Sequence, residues 1–194
     1  MNKMFFYSVV AVTMTCFTAC DKDNTTQDDL SSLVIKAFDV EKGYDRIATV
    51  KATVLGHEVA SAVYENNGFE LTIPAIIPNE YLHSPSEEVM SNGTIISNEQ
   101  TKIGQLLISA FDKTGVFIGG FSLMNGGYGA DYIYADRSFT ETGNNSAGME
   151  FDCSYKKGWN IRNYLPFGND GKCTTQPIEE ELKWYFAELF IHNP

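Results

Sequence analysis

No apolar stretch in this chain approaches the roughly 20 residues that a helix needs to cross a bilayer; the N-terminal apolar run, Met4 to Phe17, has about fourteen. Histidine is scarce, with His57, His83 and His192 far apart and none at His-x-His spacing. His57-Glu58 continues as Val-Ala-Ser, so the His-Glu-x-x-His pattern of zinc hydrolases fails at its second histidine. These shortages argue against a transition-metal centre. Basic charge is scarce too: 14 Lys and Arg stand against 25 Asp and Glu. That balance argues against nucleic acid and against electrostatic adhesion to anionic lipid. A catalytic serine elbow is missing, because Gly120-Phe121-Ser122-Leu123-Met124 lacks the second glycine of Gly-x-Ser-x-Gly. Around Asn125 to Gly129 the glycines do not fall at dinucleotide-fingerprint spacing, and no helix pattern follows. Asp21 to Asn24 lacks the later ligands and the glycine of a calcium loop, and Gly168 to Lys172 reads as a turn. No cofactor is expected.

What is present is informative first at the N-terminus. A start carrying one positive charge, Lys3, leads into the run Met4 to Phe17, whose length suits the apolar region of a secretory signal. Thr18 and Ala19, both small, precede Cys20, and the chain turns abruptly acidic behind it. This segment resembles the lipobox of bacterial lipoproteins, with Phe17 where leucine is usual. The resemblance implies cleavage before Cys20 and acylation of its thiol and amine. Each buried methylene is worth about 0.8 kcal/mol, so two or more chains would hold the protein on a membrane durably. Residues 1–19 are then the signal peptide. Residues 20–32 form an acidic tether, DKDNTTQDDLSS behind the cysteine, with Leu30 its only apolar member. Acidic residues directly behind the cysteine resemble surface-export signals of Bacteroidota lipoproteins. The implied address is the outer membrane with the domain on the cell surface; the periplasmic face is the alternative.

Removing residues 1–19 leaves 175 residues carrying 13 basic and 25 acidic side chains, a net charge of −12. That length suits one domain, residues 33–194. Its apolar periodicity is that of strands: Leu33 to Val40, Ala48 to Leu55 and Val59 to Tyr64, then a turn at Asn67-Gly68 into Phe69, Leu71 and Ile73. A second hairpin turns at Asp112 to Gly115, and its arms carry apolar residues on both faces, as central strands do. Further strands are read at Tyr128 to Asp136, Ser138 to Thr142, Ala147 to Tyr155 and Trp159 to Tyr164, the last two closed by Lys156-Lys157-Gly158. The C-terminal Pro177 to Pro194 reads as a closing strand by its alternation Leu182, Trp184, Phe186, with a short helix as the alternative. About nine short strands without βαβ alternation predict an all-β fold, an antiparallel β-sandwich, immunoglobulin-like or related, with a small β-barrel as alternative. Residues 74–103 form a long polar connection, of the kind that carries function or moves, with a short helical turn expected near Ser84 to Met90. The segments GFELTIP, YADRSFTETG and KKGWN resemble recurrent segments of secreted lipoproteins of the Bacteroidota, which implies an all-β exported domain and no particular mechanism.

Three sets of side chains are candidates for function. Cys153 falls on the inward face of Met149 to Tyr155, and with Cys173 it reads either as a disulfide or as two buried thiols. Tyr132 and Tyr134 share one strand face, with Tyr128 adjacent. Exposed, the three would form a stacking platform for sugar rings; inward, they fill the core. Asp131, Asp136, Glu141, Glu150 and Asp152 supply carboxylates from which a hydrolytic pair could be drawn, provided that two lie about 5 or 6.5–9.5 Å apart. The resulting expectation is a non-catalytic, membrane-anchored binding or interaction module with a glycan or polypeptide ligand. The alternatives are a carboxylate hydrolase and a structural subunit of an envelope assembly.

Overall fold

The computed structural model describes residues 30–41, 45–88, 91–166 and 171–188. Cys20 and the greater part of the acidic tether, Asp21 to Asp29, lie outside the described residues. Among the described residues thirteen strands are formed: β1 Leu33–Ala37, β2 Thr49–Val54, β3 His57–Val63, β4 Phe69–Ile73, β5 Ile95–Ile96, β6 Ile103–Phe111, β7 Phe117–Asn125, β8 Tyr128–Ala135, β9 Phe139–Asn144, β10 Glu150–Tyr155, β11 Gly158–Tyr164, β12 Lys172–Thr174 and β13 Lys183–Glu188. The fold is all-β, with two sheets and no closure into a barrel, consistent with a β-sandwich. Two of these strands, β5 and β12, of two and three residues, are too short to show a period.

Strands β1 and β4 pair antiparallel as a small sheet, Leu33 opposite Ile73 and Ala37 opposite Phe69. The alternation of Phe69-Glu70-Leu71-Thr72-Ile73 puts the three apolar residues inward, onto Val50, Ala52 and Val54 of β2, Ile108 of β6 and Phe121 of β7. The large sheet runs β3-β2-β6-β7-β8-β11-β12-β10-β9-β5, with β13 on the remaining edge of β7. Its far half curls around a second core of Ile103, Ile133, Phe139, Phe151, Cys153, Tyr155, Tyr164 and Cys173.

Two turn readings need correction. The chain reverses between β3 and β4 at Asn66-Asn67, not Asn67-Gly68: both asparagines have positive φ, 51° and 56°, and Glu65 and Gly68 exchange backbone hydrogen bonds. Left-handed residues at both central positions are what a type I′ turn requires, and asparagine tolerates them. Gly68 serves another purpose, since a Cβ there would collide with the Ala37 carbonyl. No ladder extends from this turn; β4 leaves β3 to pair with β1. Likewise β10 and β11 are joined by Lys156-Lys157-Gly158, with Gly158 at φ 97°, but they splay, and β12 wedges between them. It pairs in parallel with β10, Cys173 opposite Phe151, and antiparallel with β11, Cys173 opposite Tyr164.

The hairpin at Asp112–Gly115 forms as its sequence indicates. Asp112 Oδ1 accepts hydrogen bonds from Thr114 N, Thr114 Oγ1 and Val116 N at 2.6–3.0 Å, and the contact with Thr114 holds the carboxyl below its ordinary range. The C-terminal segment is the strand β13, Phe186 opposite Phe121. In the long connection, 3₁₀ turns occur at Asn79–Tyr81 and Pro85–Glu87. The connection buries Ile77 and Leu82 in the first core, and then exchanges two backbone hydrogen bonds between His83 and Ile103.

Candidate functional site

Strand β6 gives one edge to β2 along Leu106–Phe111 and divides the other between two partners. Ile103, Gly104 and Gln105 pair with Ala135, Tyr134 and Ile133 of β8, whereas Ile108 to Phe111 pair with Phe121 to Phe117 of β7. Strands β7 and β8 meet through Leu123↔Ala130, Met124↔Gly129 and Asn125↔Tyr128. The three pairings close a triangle whose sides leave Leu106 and Leu107, Ser122, and Asp131 and Tyr132 between one ladder and the next. At this fork the sheet opens into a notch of about 400 Å³. Its walls are apolar, including Leu106, Leu123, Tyr132 and Trp184. At the rim Leu107 and Met124, on adjacent strands, stand 52% and 43% exposed.

Asp131 is the one charged side chain lining the notch. It sits directly opposite Arg162 in the β8–β11 register. Its Oδ2 accepts from Tyr164 Oη at 2.6 Å and from Gln105 Nε2 at 2.8 Å, and Arg162 Nη2 lies 3.5 Å away. Behind it the charge network continues inward: Arg162 Nη1 donates to Glu88 Oε2 at 3.0 Å, and His83 Nε2 lies 3.8 Å from Glu88 Oε1. Side-chain exposure grades from 2% for Arg162 through 10% for Glu88 to 29% for Asp131. Burial by itself disfavours charge on Arg162, but the electrostatic surroundings, Glu88 among them, outweigh it and hold the guanidinium well above its ordinary pKa. Burial raises the Tyr164 hydroxyl. Tyr164 therefore stays a neutral donor.

A second polar cluster lies deeper in the same core. Glu141, opposite Cys153 in the β9–β10 register, accepts from Thr94 Oγ1 at 3.0 Å and from Tyr155 Oη at 3.3 Å. Burial raises the Tyr155 hydroxyl, and the ring stacks on Phe139 at 4.4 Å. Cys153 and Cys173 meet there with Sγ atoms 3.7 Å apart, as free thiols in hydrogen-bond contact. That contact lowers the Cys153 pKa and, together with burial, raises that of Cys173.

The three tyrosines are separated. Tyr134 is 3% exposed in the first core, edge-on to Trp159 at 5.3 Å, so it presents no face to a ligand. Tyr132 lines the notch, half-buried, and Tyr128 lines a different groove beside Lys172 and Pro177. Of the five carboxylates only Glu150 and Asp152 come together, on a shared lysine. Asp136 is held by Arg137 and the Lys102 amide, Glu141 is sealed inside, and Glu150 and Asp152 both contact Lys172 on an outer face. Neither groove holds two of them. Among the described residues, no group of three or more His, Cys, Asp or Glu is placed to hold a metal ion.

Sequence reasoning missed Arg162, Gln105 and Glu88. Arg162 had a signal: in Asn160-Ile161-Arg162-Asn163-Tyr164 it shares the inward face with Tyr164. Glu88 had none, being one glutamate in a polar connection.

Comparison of the chain with protein-family models, with curated proteins and with solved structures gives no match.

Proposed function

We propose that the mature chain is a lipid-anchored domain, displayed on the outer surface of the outer membrane, that binds a polypeptide without turning it over. The observation that carries this reading is the notch at the β6–β7–β8 fork, an apolar concavity with exposed Leu107 and Met124 at its rim and one carboxylate on its wall. Concave apolar sites with few polar groups are the usual form of a ligand site. A polypeptide suits it better than a glycan, because Tyr134 is buried and Tyr128 lines a different groove, so the three-tyrosine face that a sugar ring would stack on is not assembled. Hydrolysis by paired carboxylates needs a second acid across the substrate, and Asp131 stands alone in the notch.

The fold suits display. Leu30, at the end of the tether, lies against Gly158, which pairs with Ala135. The notch residues Gly129 and Tyr164 are paired at the opposite end of the same two strands. Six residues at about 3.3 Å each put roughly 20 Å between the tether's attachment and the notch. A lipid at Cys20 would hold one end of β8 and β11 and leave the other free for a partner.

Two measurements test the reading. Protease shaving of intact cells should remove the full-length band, with Cys20→Ala as the unanchored control; protection until lysis would place the domain on the periplasmic face. Selection from a random peptide library should enrich binders that Leu107→Asp no longer retains. Equal retention by that variant would move the site away from the notch.

A further inference from the structure

The walls of the notch carry no Lys, Arg or His, and its one charged side chain is Asp131. Arg162, the nearest cation, does not present itself to a ligand: it is 2% exposed and its two terminal nitrogens contact Glu88 and Asp131. It also answers two carboxylates with one charge. The trio Glu88, Arg162 and Asp131 therefore carries a formal −1, and the more exposed of the two anions is Asp131, at 29% against 10%. Three donors, from Gln105, Tyr164 and Arg162, converge on Asp131 Oδ2. Its Oδ1 receives none of them. A carboxylate has about four acceptor sites. The notch thus offers an apolar passage past Leu107 and Met124 to an anionic oxygen with acceptor capacity unused.

We propose that the ligand segment taken by this notch presents a lysine side chain, its methylene stem against the apolar walls and its ammonium on Asp131 Oδ1. The proposal rests on the reading of the notch as a polypeptide site and names the residue that the site selects. Lysine fits because it combines a slender apolar stem with a compact three-donor head. An anionic side chain would meet the excess negative charge of the trio, with Arg162 sealed behind Asp131 and Lys183, opposite Met124, ion-paired to Glu41. Charge on the whole chain acts in the same direction, since a net −11 raises the encounter rate of basic segments.

The test uses two probes, acetyl-Leu-Lys-Leu-amide and the same peptide with Nε-acetyl-lysine, titrated into the isotopically labelled protein while the Leu107, Ser122, Asp131 and Tyr132 amide resonances are followed. The lysine peptide should shift these resonances and bind about fivefold more tightly than the acetylated one, as a partly exposed charge pair implies. That preference should shrink with added salt and vanish in Asp131→Asn, where the side-chain oxygen still accepts from Tyr164 and Gln105. Equal affinities of the two peptides for the unsubstituted protein would overturn the lysine assignment and leave the notch as a binding site. Failure of both peptides to shift the notch resonances would overturn the assignment and the notch together. The comparison of peptides is made on the unsubstituted protein, so it stands even if Asp131→Asn folds poorly.

Discussion

Arg162 and Asp131 face each other across β11 and β8, Nη2 to Oδ2 at 3.5 Å, and Arg162 joins this surface notch to Glu88 in the interior. The pair is a junction: on one side lie solvent and the exposed Leu107, on the other the long connection that closes the second core.

Because Arg162 is buried against two carboxylates, removing its charge should be costly. Arg162→Met is expected to lower stability by about 3–5 kcal/mol, since Glu88 is left nearly buried with only His83, 3.8 Å away, beside it. Adding Glu88→Leu should recover most of the loss. Urea midpoints of the two single variants and the double variant give the coupling directly. Additive losses would mean that the ion pair does not hold the connection to the sheet.

Tyr155 links burial to alkaline stability. Its folded-state pKa lies above that of the unfolded chain, so from about pH 10 upward the unfolded state releases a proton that the folded state keeps. The stabilisation is fully present below pH 10 and declines as pH rises, by up to about 1.4 kcal/mol per pH unit for this one group. Tyr155→Phe should be less stable at pH 8, where Glu141 loses a donor, and should show a shallower decline between pH 10 and 11. Identical slopes in urea titrations across that range would show that Tyr155 does not titrate on unfolding.

Gly119 is required by packing. A Cβ there would collide with the Ala187 carbonyl oxygen and would come within 2.7 Å of Phe186 Cε2. Gly119→Ala should cost about 1–3 kcal/mol, as overpacking does, and should loosen β13 from β7. Faster amide exchange confined to Lys183–Glu188 would confirm the location; unchanged exchange there would place the strain elsewhere.

Cys153 and Cys173, in contact but unbonded and both buried, should be silent to alkylation under native conditions. In urea each should take up one iodoacetamide, read by peptide mass. A peptide pair joined through the two sulfurs before reduction would show instead that the two form a disulfide.

The strands were readable because burial on one face imposes a period of two on the sequence. Phe69, Leu71 and Ile73 and then Phe151, Cys153 and Tyr155 announce their inward faces without reference to any other segment. The Asp112–Gly115 turn was readable for a similar reason, because the interactions that close it are local. Pairing was not readable. A strand's own residues do not say which neighbour it will take, so β4 passing to β1 and β12 wedging between β10 and β11 had no local sign.

The candidate site divides in the same way. By itself the sequence determined the all-β class and the inward position of Cys153, because each rests on contiguous residues. Only the tertiary structure decided that Tyr134 is buried while Tyr132 lines a notch, and that Arg162 meets Asp131 from the next strand and Glu88 from 74 positions away. The physical reason is range: periodicity and turn chemistry act over a few residues, whereas a notch is made where three strands exchange partners, and a charge pair forms where separate segments are packed together.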